Sequence, residues 1–148
     1  MPRIERTAEI VWEGNVARGA GTIGAGSGAF SGLGYSLPTR IGQPEGKTSP
    51  EELLAAAHGA CLAMSLASEL ATAGTPLGRL EVTCRIVMDE VEGQGHQIVG
   101  SHIDAVVAAE GLDEAGLEAA VAKADEGCPF SALLRRAGTE LQVSARLA

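Results

Sequence analysis

The sequence predicts an α+β fold with a mostly antiparallel sheet. Three observations lead there: a long helix with a sharply marked start near Ser49, strict apolar–polar alternation over Leu80–Met88 and again over Thr139–Leu147, and an order of strands, long helix, strands, helices, strand in place of a regular β-α alternation. A chain of 148 residues is of single-domain size and buries a core without disulfide staples, so one domain is expected over 1–148.

The elements follow in order. Thr7–Trp12 reads as a strand, followed by a Glu13-Gly14-Asn15 turn. From Arg18 to Gly34 the chain (RGAGTIGAGSGAFSGLG) is crowded with glycine, which predicts short twisted strands and tight connections. No strand-to-helix junction or following basic residue turns those glycines into a phosphate-binding loop. Ile41–Lys47 (IGQPEGK) is expected to be a loop. Ser49 as N-cap, Pro50 at the first helical position and Glu52 three residues past the cap form a capping box, with Glu51 and Glu52 suited to the positive end of the helix. The helix should run to about Ala73 and stop at Gly74, with Pro76 beyond it.

Leu80, Val82, Cys84, Ile86 and Met88 alternate with Glu81, Thr83, Arg85, Val87 and Asp89, as a half-buried strand requires. A Glu92-Gly93-Gln94-Gly95 turn leads to a second strand over Gln97–Ala109. Asp113 caps a helix over Glu114–Glu126, with Leu117, Ala120, Val121 and Ala124 at helical spacing and Gly127 ending it. Cys128-Pro129 reads as the cap and first position of a short helix through Arg136, and Thr139–Leu147 as a closing strand.

Composition removes several function classes. With 11 Lys and Arg against 19 Asp and Glu the formal charge is −8, which disfavours nucleic acid or an acidic membrane face as partner. Aromatic residues make up 3% of the chain, too few for base-stacking platforms. The opening MPRIERTAEIVWEG has no apolar signal-peptide stretch, and no run is expected to span a bilayer, so the cytoplasm is the expected compartment. Three cysteines, Cys61, Cys84 and Cys128, are an odd and widely spaced set, unlike a secreted disulfide framework.

The residues alone leave the roles of these thiols open. A helical wheel puts Leu53, Leu54, Ala57, Ala60, Cys61, Met64, Ala67, Leu70 and Ala71 in or beside one stripe, so Cys61 is expected to face packing, where a raised pKa makes a thiol inert unless a cation sits beside it. Cys84, on the apolar side of its strand, reads as a small buried hydrophobe. Cys128 sits at a helix start, where free backbone N–H groups favour the thiolate, and placement alone gives it the more reactive setting. A glutaredoxin-like reading of Cys128-Pro129-Phe130-Ser131 fails because too little chain follows to supply that fold's sheet and proline loop. His58 and Cys61 with His96, His102 or Cys128 are an incomplete zinc set without a C-x-x-C or H-x-x-x-H pair; no metal is expected, and His58 is expected to be packed or hydrogen-bonded.

Taken together, TRIGQPEGKTSPEELLAAAHGACLAMSL, the later GCPFSALL and the opening VWEGN…RGAGT resemble the osmotically inducible protein C (OsmC) branch of the OsmC/Ohr hydroperoxide reductases, along nearly the whole chain. Ser49 stands where that family often has Asn; both cap helices well. The resemblance implies mostly antiparallel sheets packed around a long central helix in an intertwined homodimer. It implies a thiol peroxidase without flavin, haem or metal, in which Cys61 is the peroxidatic cysteine, Cys128 the resolving one, and Arg40 and Glu51 complete the site, with Arg18 the fallback for the arginine. The expected substrates are alkyl or lipid hydroperoxides and, more weakly, hydrogen peroxide; the expected reductant is a dithiol, commonly a lipoylated protein. Leu62, Met64, Leu66 and Phe130 are expected to receive the organic tail. A guanidinium supplies the missing cation, since its attraction for a thiolate is stronger in a low-dielectric pocket than in water.

Helix geometry adds a constraint. Glu51 precedes Cys61 by ten residues, about 15 Å along a continuous helix at 1.5 Å per residue, so the two cannot meet within one chain. If both belong to one site, Arg40 and Glu51 reach the Cys61 and Cys128 of a second subunit, giving two sites at a two-fold interface. The rival reading is a non-catalytic dimeric binding protein for a small apolar or acyl ligand, with its thiols idle; a purely apolar pocket has no use for the charged pair Arg40 and Glu51.

Overall fold

The computed structural model describes residues 2–148. Its elements are β1 (Ala8–Glu13), β2 (Ala20–Ala25), β3 (Leu33–Tyr35), α1 (Leu37–Ile41), α2 (Pro50–Thr72), β4 (Leu77–Val91), β5 (Gly95–Ala109), α3 (Glu114–Gly127), α4 (Pro129–Arg136) and β6 (Glu140–Leu147). They form two compact units, one ending at Pro50 and the other covering Glu51–Ala148.

The first unit is the antiparallel sheet β1-β2-β3 followed by α1. The glycine-crowded segment does form short strands, with Ile23 of β2 buried and the rings of Trp12 and Tyr35 tilted against each other at 5.4 Å. α1 is an addition to the sequence-based expectation. Ser36 caps it, accepting from the Thr39 N–H and sharing a 2.8 Å hydrogen bond with the Thr39 hydroxyl, and Pro38 stands in its first turn. A helix of five residues is too short to leave a periodic pattern, so only the cap marks it.

In the second unit α2 runs unbroken from Pro50 to Thr72, with Glu51 and Glu52 in its first turn. Its end is a Schellman turn: Gly74, at φ +84, donates to the Ala71 carbonyl and Thr75 to that of Leu70. β4 and β5 pair antiparallel through the Gly93 and Gly95 turn, and β6 lies parallel to β5. The other strand pairs are antiparallel, so the sheets are mostly antiparallel as expected, and β6 can run parallel to β5 because α3 and α4 carry the chain back before it. Ser101, Ile103, Ala105 and Val107 of β5 point inward, and with Leu62, Leu66, Leu70, Leu117, Ala120, Ala124 and Cys128 the apolar members make the core.

The buried face of α2 is His58, Gly59, Leu62, Leu66 and Leu70, which corrects the predicted stripe: Met64 is 76% exposed, and Ala60 and Ala71 are exposed as well. Apolar residues surround this helix, so a wheel drawn from sequence has no polar face to orient it. The same composition makes α2 long and apolar enough to cross a bilayer, against the expectation that no run is; one side of it, His58, Leu62, Leu66 and Leu70, is buried within the unit. Gly59 lets α2 lie close on β4, since a Cβ there would come within 3.2 Å of the Cys84 Cβ.

Candidate active site

The second unit brings the two expected thiols together. Cys61 lies on α2 and is half-buried; Cys128 is the single residue between α3 and α4, extended at φ −76 and ψ 118, and fully buried. Cys128 makes no side-chain cap bond to α4. Burial raises the Cys61 pKa above the ordinary thiol value, and the neighbouring Cys128 thiol raises it further through a side-chain hydrogen bond and its charge. Against these, the backbone N–H of Phe130, in the first turn of α4, donates to Cys61 and lowers it. The sequence assigns the donors of that helix start to Cys128; in the fold, one of them serves Cys61.

Beneath this pair lies a polar group that the sequence shows only as single residues. His58 is 0% exposed, with Nδ1 2.7 Å from the Ser101 hydroxyl of β5 and Nε2 2.9 Å from the Ser131 hydroxyl of α4. A neutral imidazole satisfies both serines, donating to one and accepting from the other. The expectation of a hydrogen-bonded His58 therefore holds. Cys84 is half-buried rather than fully buried, its sulfur 3.6 Å from the Ser101 hydroxyl, and burial raises its pKa.

Burial lowers the His58 pKa, with the Asp125 carboxylate opposing and the Arg135 guanidinium assisting; those two groups form an ion pair at 2.6 Å. An imidazole held neutral in the fold but protonated when unfolded contributes stability that is complete above the unfolded value of about 6.5 and is lost as pH falls toward the folded value. The expected result is a melting temperature that declines below pH of about 6.5, with a shallower decline in His58→Gln. Parallel melting curves for the two proteins from pH 7.5 to 5 would refute this assignment.

Arg40 stands in the last turn of α1, exposed, and lines a cleft of about 170 Å³ with Trp12, Val16, Tyr35, Ser36 and Leu37. Glu51 is in the first turn of α2. Because α2 is continuous, Glu51 is about 15 Å from Cys61 along the axis, so one chain does not join the carboxylate to the thiols. Leu62 and Leu66, expected to receive a substrate tail, belong to the core at 2% exposure each, whereas Met64 is exposed and Phe130 half-buried. A second cleft, of about 510 Å³, runs between α2 and β4 over Ala56, Gly59, Ala60 and Ala63. Among the described residues, no group of three or more His, Cys, Asp or Glu side chains gathers to hold a metal.

Residues 42–144 match the family described as OsmC-like protein. Peroxiredoxin OsmC of Escherichia coli (strain K12) is 34% identical over 132 residues, covering 89% of this chain and 91% of that protein. Among solved structures, an organic hydroperoxide resistance protein OsmC from Legionella pneumophila superposes with a TM-score of 0.76 at 24% identity, over 97% of this chain and 98% of that one. An organic hydroperoxide resistance protein from Elizabethkingia anophelis gives 0.79 at 20% identity, over the whole of both chains. Both structures share the α+β fold described above.

Proposed function

The chain belongs to the OsmC-like protein family, and from that premise we propose that it is a thiol-dependent peroxidase that reduces organic hydroperoxides, and hydrogen peroxide more weakly, to alcohols or water. The observation that carries the reading is the pairing of half-buried Cys61 with Cys128 under the Phe130 N–H, a second thiol held against the first at a helix start. The names of the relatives support the same chemistry, peroxiredoxin for one and hydroperoxide resistance for the others.

In the proposed cycle the Cys61 thiolate attacks the distal oxygen of ROOH. The O–O bond breaks, the alkoxide takes a proton and leaves as ROH, and Cys61 becomes a sulfenic acid. The Cys128 sulfur then displaces hydroxide, which leaves as water, and a Cys61–Cys128 disulfide forms. An external dithiol restores both thiols and becomes a disulfide itself. Cys128 is fully buried and Cys61 half-open, so the reductant reaches the Cys61 sulfur first. A dithiol on a slim flexible arm, as on a lipoylated protein, suits that access.

Within one chain burial holds the Cys61 pKa high, so the proposal requires a cation to ionise it. Arg40 of a second subunit is assigned that role in a homodimer, and Glu51 is assigned to the same site. Two features support a partner on α2: the exposed apolar line Ala56, Ala60 and Met64, and the small share, 28%, of its apolar stretch that this chain buries. Cumene hydroperoxide added to reduced protein should lower the free thiols from three to one per chain, with Cys84 remaining. Three thiols surviving excess hydroperoxide would reject the proposal in favour of an idle-thiol binding protein.

A further inference from the structure

α2 and the start of α4 meet through two side-chain pairs at matched spacing. His58 and Cys61 are three residues apart on α2, and Cys128 and Ser131 are three apart at the head of α4. His58 meets Ser131 at 2.9 Å, and Cys61 meets Cys128, so the imidazole–hydroxyl bond and the thiol pair are successive rungs of one contact. The other ring nitrogen is tied to Ser101 of β5 at 2.7 Å. His58, Ser101 and Ser131 are each 0% exposed. Polar groups are kept in such a place only when their hydrogen bonds are made, so the three side chains specify one arrangement of helix, strand and helix.

The head of α4 needs such a tie. The helix has eight residues, it is joined to α3 by Cys128 alone, and Cys128 supplies no side-chain cap. We propose that His58 is a positioning residue for the resolving step: anchored on Ser101, it holds Ser131 and with it Cys128 in register with Cys61, so that the sulfenic acid is captured as a disulfide before a second peroxide oxidises it. The proposal deepens the peroxidase reading and rests on its assignment of Cys61 as attacking and Cys128 as resolving thiol. The step it governs is Cys61–SOH plus Cys128–SH giving Cys61–S–S–Cys128 and water.

The two ring nitrogens can be tested separately, because a Gln amide reaches about where Nε2 lies and an Asn amide about where Nδ1 lies. The first measurement is the equilibrium of the Cys61–Cys128 disulfide with reduced and oxidised glutathione, which needs no peroxide. The second is the ratio of disulfide to sulfinic acid at Cys61 after a pulse of cumene hydroperoxide, read by mass spectrometry. Ser131→Ala and His58→Asn, which lose the bond to α4, should lower the effective concentration of the thiol pair about tenfold, the scale of one buried hydrogen bond, and raise the sulfinic share. His58→Gln, which keeps that bond but gives up the Ser101 tie, should show a smaller loss of about threefold.

An unchanged thiol equilibrium in Ser131→Ala and His58→Asn overturns the proposal. An equal loss in all three variants, accompanied by equal losses of melting temperature, also overturns it and leaves His58 a merely structural residue. An unsubstituted chain inert to peroxide rejects the peroxidase reading, while the glutathione equilibrium still decides whether His58 positions the pair.

Discussion

Cys61→Ser should lose hydroperoxide turnover by on the order of a thousandfold or more, whereas Cys128→Ser should consume one equivalent quickly, a second only slowly in excess peroxide, and not turn over. The asymmetry follows from the geometry. Cys61 is the half-open thiol and receives the Phe130 N–H, while Cys128 is fully buried. A serine hydroxyl is neither ionised nor oxidised to a sulfenic acid, so the first substitution removes the attack itself. The second leaves attack possible and removes only the group that captures its product. With excess peroxide, Cys128→Ser should therefore accumulate sulfinic acid at Cys61. Should Cys61→Ser consume one equivalent and Cys128→Ser none, the order of the two thiols is the reverse of that proposed.

Arg40→Met should slow peroxide consumption by about 100-fold, and its rate should keep rising with pH beyond the point where the unsubstituted protein has levelled off. Burial and the adjacent Cys128 push the Cys61 pKa up, so without a cation little thiolate exists at neutral pH. A guanidinium at the sulfur reverses that direction by favouring the charged form. Arg40→Lys should recover part of the rate, since it keeps the charge and loses the forked donor geometry.

The cross-subunit assignment has its own signature. Arg40→Met and Cys61→Ser proteins, mixed and allowed to exchange subunits, should regain activity, because a hybrid dimer combines the intact Cys61 of one chain with the intact Arg40 of the other. No gain after demonstrated exchange would place Arg40 and Cys61 of the same chain in one site, or Arg40 outside it.

Much of this fold was legible because its signals are local. Asp113 caps α3 through the Gly116 N–H at 2.7 Å, Pro129 opens α4, Gly74 ends α2 in a left-handed turn, and Val82, Cys84 and Ile86 alternate with exposed Glu81, Thr83 and Arg85. Each depends on residues within one turn or one strand. α1 escaped because five residues span too few turns to show a period, and the face of α2 because its apolar residues leave no polar side to set against.

The chemistry divides along the same line. Two thiols in recognisable settings, and the family to which they belong, can be read from residue order, since they concern which groups the chain carries. Which donor serves which sulfur is a different kind of fact: the Phe130 N–H reaches Cys61 only because α4 folds onto α2. Likewise His58 finds Ser101 and Ser131 across 43 and 73 residues of chain. Such contacts arise from packing, where burial makes each unpaired polar atom costly and so selects the partners, and no short stretch of sequence contains that balance.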